Sequence, residues 1–141
     1  MKNNKSLPLH LLGAALALLT LASFTLIPTS QDDPHKRVLE DGTVVVNTTK
    51  LGGKFCGYRD ITPVEVYVKD GVVRKVEVLE NYETPAYFEM VTAAGLLDKW
   101  NGLTLEKADK LQVDAVSGAT FSSESIIGNV KAAITYLLPG K

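Results

Sequence analysis

Between Val64 and Val78 the chain alternates so regularly that one local architecture is imposed before anything else is considered. Val64, Val66 and Val68 alternate with Glu65, Tyr67 and Lys69; after Asp70-Gly71 the apolar positions Val72, Val76 and Val78 share one parity, with Arg74 as the exception. β-Branched residues at period two make a strand that buries one face. Asp-Gly between two such runs makes a hairpin turn. Register decides which side chains reach the buried face, because a slip of one residue turns every one of them over. A two-residue Asp70-Gly71 turn sets Val66 opposite Lys75 and Val64 opposite Glu77, which mixes the faces. A three-residue loop, Lys69-Asp70-Gly71 with Gly71 left-handed, pairs Val68 with Val72 and Val64 with Val76, and is the register we expect.

Near the C-terminus the period changes. Ile126, Ile127, Val130, Ala133, Ile134, Leu137 and Leu138 recur at helical spacing, which predicts a helix from about Ser122 to Leu138 packed on the hairpin. Directly before it runs Val113-Asp114-Ala115-Val116-Ser117-Gly118-Ala119-Thr120-Phe121-Ser122-Ser123, small-residued and rich in hydroxyls. Thr120, Ser122 and Ser123 thus fall where a helix begins, where free N–H groups and the positive end of the dipole favour an anion. Gly118 and Ala119 let a backbone approach a ligand closely. A phosphate, free or esterified to a hydroxyl, suits such a place; so does an ordinary turn with a Ser or Thr cap.

The rest of the 141-residue chain sets the limits. Lys2 and Lys5 precede an uncharged apolar run from Leu7 to Ile27. That is long enough to span a bilayer and at the long end for a cleaved signal peptide. A retained anchor is favoured, and positive charge on the amino side sets the domain outside the cytoplasm. Polar residues from Ser30 to Arg37 then read as a linker, so we expect an anchor or signal segment with its linker over 1–37 and one domain of about a hundred residues over 38–141. A net charge of −1 gives no footprint for nucleic acid. The histidines, His10 and His35, fall in leader and linker, which removes any Ser-His-Asp or Cys-His arrangement from the domain. No C-x-x-C, His cluster or EF-hand spacing suggests a metal. Cys56, the single cysteine, has no disulfide partner in the chain and is expected as a small buried apolar side chain.

Between these landmarks, Thr43 to Val46 reads as a strand and Phe55 to Tyr58 as a short second one with Gly57 as a bulge. Pro85 forces Thr84 extended and closes the hairpin's exit. Met90, Ala93, Ala94, Leu97 and Trp100 have helical spacing, but Gly95 weakens it, so that helix is expected from Leu96. The fold class is α+β, a small antiparallel sheet with a few packed helices, preceded by a transmembrane or signal helix.

The order of residues around Thr120 carries more than helix logic. Asp114-Ala115-Val116-Ser117-Gly118-Ala119-Thr120, continued by Ser122 and Ser123, resembles the flavinylation motif of the FMN-binding domain family. This module occurs in the FMN-carrying subunits of sodium-pumping NADH:quinone reductases and of Rnf complexes. The valine hairpin resembles the family's central hairpin, and Leu96 to Leu103 its short helix before the motif. Glu83-Thr84-Pro85 resembles the segment that lies against the flavin, although Ala86 stands where the family often has glycine. The resemblance spans roughly Val38 to Leu138.

It implies covalent FMN on Thr120 through a phosphoester, set there by a flavin transferase that consumes FAD. Asp114, Ser117, Gly118 and Ala119 then shape the segment the transferase reads, and Ser122 or Ser123 with the helix N–H groups holds the phosphate. Glu83, Thr84 and Pro85 become flavin contacts, and Tyr82, Tyr87 and Phe88 offer faces for stacking. The function implied is an electron carrier rather than an enzyme, sited at a bacterial inner membrane on the extracytoplasmic side. Its partners are membrane redox proteins that donate and accept electrons. The competing class is a non-redox module binding a small ligand or a protein on the same fold.

Overall fold

Two periodicities become two layers. The computed structural model describes residues 33–140. Its sheet has four strands, β1 (Lys36–Val38), β2 (Val44–Asn47), β3 (Val64–Lys69) and β4 (Val72–Val78), in the order β1-β2-β3-β4 with every neighbour antiparallel. Helices α1 (Pro85–Ala93), α2 (Leu105–Lys110) and α3 (Thr120–Leu137) cover one face. The α+β expectation therefore holds. The apolar run Leu7–Ile27 lies outside the described residues; among those described, no helix is long and apolar enough to cross a membrane.

Val64, Val66 and Val68 of β3 and Val73 and Val76 of β4 are buried against Val91, Leu96, Trp100, Ala119, Ile126, Val130, Ala133 and Ile134. This single apolar layer is the main source of stability, since each fully buried side chain of this size is worth roughly 1.5–3 kcal/mol.

The hairpin departs from both registers considered. Lys69 pairs with Val72 across a two-residue turn, and the pairing then shifts by one so that Val66 faces Val76 and Val64 faces Val78. Asp70 and Gly71 have φ of 53° and 71°, the twin positive values of a tight hairpin turn whose twist matches the strands. A bulge at Arg74 then restores the valine face. Arg74 and Lys75 both point outward while Val73 and Val76 both point in. The exception to the parity was the bulge itself.

Four further expectations are corrected. Lys36 and Arg37, expected at the end of the linker, form with Val38 the edge strand β1, paired with β2. Phe55 to Tyr58 forms no strand; only an isolated bridge joins Cys56 to Ile61, and Cys56 is exposed rather than buried. The helix near Gly95 precedes it: α1 starts at Pro85 with Thr84 as its extended cap residue, and Gly95, left-handed, separates it from a short 3-10 turn at Leu96–Asp98. Pro85 thus begins a helix as well as ending a strand exit, because proline suits a first helical position.

One element has a weak sequence signal. Helix α2 is short, capped by Thr104, whose Oγ1 accepts from the Lys107 N–H. The chain leading into it runs along the outer edge of β4, with Val73 N–H to Leu103 O at 2.8 Å and Gly102 N–H to Val73 O at 2.8 Å. That closes an edge which would otherwise offer free N–H and C=O groups.

Candidate functional site

The hydroxyl-rich segment folds as a turn and then a helix start. Ala119 N–H reaches Val116 O at 2.9 Å, closing a four-residue turn, and Gly118 inside it has φ of 85°. A side chain is strained there, so glycine is required by the backbone and not only by a ligand. Ser123 locks the turn from within the helix: its Oγ donates to Ala119 O at 2.8 Å and accepts the Val116 N–H at 3.0 Å.

Helix α3 consequently begins at Thr120, earlier than the Ser122 expected. Its cap residue is Ala119, with no side-chain cap hydrogen bond. Thr120 is the first helical residue and is exposed, as is Phe121 beside it. The Thr120 hydroxyl therefore does not serve as the cap. The first N–H groups of α3 have no carbonyl within the helix to bond, as at any helix start.

Behind this turn sits Glu83, a charged residue only 7% exposed. Its Oε2 accepts the Ser122 hydroxyl and its Oε1 accepts the Arg59 N–H at 3.1 Å. Its own N–H donates to Asn81 Oδ1 at 3.0 Å. The positive end of α3 and these two donors offset the cost of burying the carboxylate.

The loop that brings Arg59 to Glu83 is fastened at its base by Ser125. That hydroxyl donates to Phe55 O at 2.7 Å and accepts the Thr62 N–H at 3.0 Å. Tyr58 stands at the loop's tip, edge to face with Tyr87 of α1, ring centroids 5.4 Å apart at 74°.

These pieces enclose a cleft of about 250 Å³ lined by Tyr58, Tyr87, Gly118, Ala119, Thr120, Phe121 and Ser122. Its lining is uncharged and largely aromatic or small. A larger hollow of about 400 Å³ lies at the far end of the sheet, between Asp33–Arg37 and β2, away from every motif residue.

Of the residues singled out from the sequence, Gly118, Ala119, Thr120 and Ser122 converge on the cleft. Ser117 is exposed on the turn, and Ser123, fully buried, faces inward to the turn it locks. Asp114 lines a separate hollow of about 380 Å³ with Leu111 to Val116, Ala94, Leu96 and Lys99. Glu83 lies one hydrogen bond behind the lining; Thr84 and Pro85, at the start of α1, are not part of it.

Among the candidate aromatics only Tyr87 lines the cleft. Tyr82 is 73% exposed elsewhere, and Phe88 packs against the core. Tyr58 and Phe121 were missed. Phe121 could have been found as the neighbour of Thr120, whereas Tyr58 is brought in only by the long loop.

The cleft suits a flat aromatic group carrying a phosphate: aromatic walls, an exposed hydroxyl and unpaired helix-start N–H groups in one place. A family model described as FMN-binding domain matches residues 57–135. The chain belongs to the FMN-binding domain family, and that membership supports flavin as the cofactor. Neither curated proteins nor solved structures returned a match.

Proposed function

We propose that the protein is an electron carrier that holds FMN covalently through a phosphoester at Thr120. The observation that carries this reading is the Thr120 hydroxyl: exposed, free of cap duty and set on the rim of an aromatic cleft. Bound FMN supplies reversible acceptance and release of electrons. The chain supplies the rest. Thr120 is the attachment oxygen. The N–H groups of Thr120, Phe121 and Ser122 face a phosphate with the positive end of α3 behind them. Tyr58, Tyr87 and Phe121 wall the ring and keep water from part of it.

The hydroxyls of Ser122 and Ser123 are engaged by Glu83 and by Ala119 with Val116. Phosphate contact therefore falls to the backbone rather than to these side chains. Asp114, Ser117, Gly118 and Ala119 form the segment offered to a flavin transferase that consumes FAD. An uncharged run from Leu7 to Ile27 supports an extracytoplasmic domain held at the bacterial inner membrane, beside membrane redox partners. Covalent attachment suits that location, since a free cofactor would be lost by dilution.

The deciding experiment is intact-mass measurement of the protein co-expressed with its transferase. A gain of one FMN less one water, localised to the peptide containing Thr120, is expected. Persistent absence of that gain beside an active transferase would leave the non-redox binding module as the better reading.

A further inference from the structure

Glu83 is buried like a core residue and bonded like a hub, yet it does not line the cleft. We propose that Glu83 is a positioning residue for the cofactor cleft, whose carboxylate joins the three separate chain segments that carry the cleft walls. The inference rests on the flavin reading of that cleft.

Each arm of the carboxylate reaches a different wall. Oε1 holds the N–H of Arg59, the neighbour of Tyr58 and 24 residues before Glu83. Oε2 holds the hydroxyl of Ser122, in the first turn of α3 with Thr120 and Phe121 and 39 residues after it. The backbone of Glu83 continues through Thr84 into α1, where the Tyr87 N–H bonds Thr84 O at 3.0 Å. No two of these segments are neighbours in sequence, so without the carboxylate only the Ser125 hydrogen bonds at the loop base and side-chain packing set their spacing.

The space around Glu83 is shaped to admit it. A Cβ placed on Gly57 would lie 2.4 Å from Glu83 Oε1 and 2.9 Å from its Cδ. A methyl group there must push the carboxylate aside. Because the loop base stays fastened to Ser125 at Phe55 and Thr62, losing Glu83 frees the loop tip and leaves the fold in place.

The test compares Glu83→Ala, Gly57→Ala, their double variant, Glu83→Gln and the remote core variant Val130→Ala. Each keeps Thr120 and is loaded by the transferase. Iodide quenching of the bound flavin's fluorescence reads how open the cleft is. Glu83→Ala and Gly57→Ala should each raise the quenching constant about threefold, with the double variant no worse, and Glu83→Gln should fall between, because hydrogen bonds to a charged group are the strong ones. Val130→Ala should lower the melting temperature and leave quenching unchanged.

A second readout needs no flavin. Hydrogen exchange at the Arg59 amide of the flavin-free protein should quicken about tenfold or more in Glu83→Ala and Gly57→Ala, while α3 core amides hold. Unchanged Arg59 exchange in both variants, or equal quenching in Val130→Ala, would overturn the proposal. Wild-type protein that protects Arg59 but never takes up flavin would sink the flavin reading and leave the junction at Glu83 standing.

Discussion

Thr120 differs from an ordinary helix-capping threonine in one respect that matters: its hydroxyl supports nothing in the fold. Thr120→Val keeps the β-branched shape, so stability should stay within about 0.5 kcal/mol of wild type, as for surface changes generally. Covalent flavin should nonetheless vanish, read by in-gel fluorescence after denaturation. Flavin surviving in that variant would move the attachment site elsewhere. Ser123 is the opposite case. Its hydroxyl satisfies both Ala119 O and the Val116 N–H in a fully buried position. Ser123→Ala strands that N–H, and a loss of about 1–2 kcal/mol in urea unfolding is expected. Flavinylation should fall as well, because the Ser117–Ala119 turn loses its lock while Thr120 itself is untouched.

Among the elements, the hairpin shows how one backbone requirement sets the register of a whole sheet. Asp70 and Gly71 must both take positive φ, and the bulge at Arg74 then brings the valines back to one face. Gly71→Val forces a β-branched residue into the left-handed region and should cost about 1–2 kcal/mol. Asp70→Asn, which tolerates that region, should be close to neutral, so paired chemical denaturation curves separate turn geometry from lost charge. Helix α3 works differently. Its inward face mixes Ile126, Val130 and Ile134 with Ser122, Ser125 and Asn129, all buried. The apolar members hold the helix on the sheet, and Ser122 and Ser125 fasten the loops that bear the cleft.

Across the whole molecule, acid is the condition to which the domain should be most sensitive. On the sheet face away from α3, Glu65 accepts from Arg37 at 2.5 and 2.8 Å, from Tyr67 at 2.9 Å and from Asn47 at 3.2 Å. The Arg37 hydrogen bond foremost, then those of Tyr67 and Asn47, draws its carboxyl down from 4.5 to about 2 despite burial. A carboxyl depressed by folding contributes stability above its unfolded value and loses it as pH falls through the folded one. This contribution, on the order of 2–3 kcal/mol, should be complete above about pH 5 and fade toward about pH 2. Asp41, drawn to about 2 first by the Thr43 N–H, titrates in the same window. Urea midpoints measured from neutral to acid pH should therefore fall steeply in wild type and less steeply in Glu65→Gln. Equal slopes would show that the Arg37–Glu65 pair joining β1 to β3 carries no net stability.

The chain's local chemistry already contained the two layers, because period two and period 3.6 are properties of neighbouring residues. The valines announced the strands, the isoleucines announced α3, and the order Ser117-Gly118-Ala119-Thr120 announced the family. What neighbours cannot encode is meeting across distance. The bulge that rescued the hairpin register answers to a core that needs Val73 and Val76 together. Strand β1 exists because β2 offers it an edge, not because Lys36-Arg37-Val38 favours a strand. Glu83, read from the sequence as a flavin contact, is instead buried behind the cleft, where the start of α3, 39 residues on, supplies Ser122 and a positive helix end to make its burial tolerable. Tyr58 reached Thr120's cleft only through a loop fastened to Ser125. Local pattern selected β3, β4 and α3 and singled out Thr120; long-range hydrogen bonds to buried groups decided the walls around it.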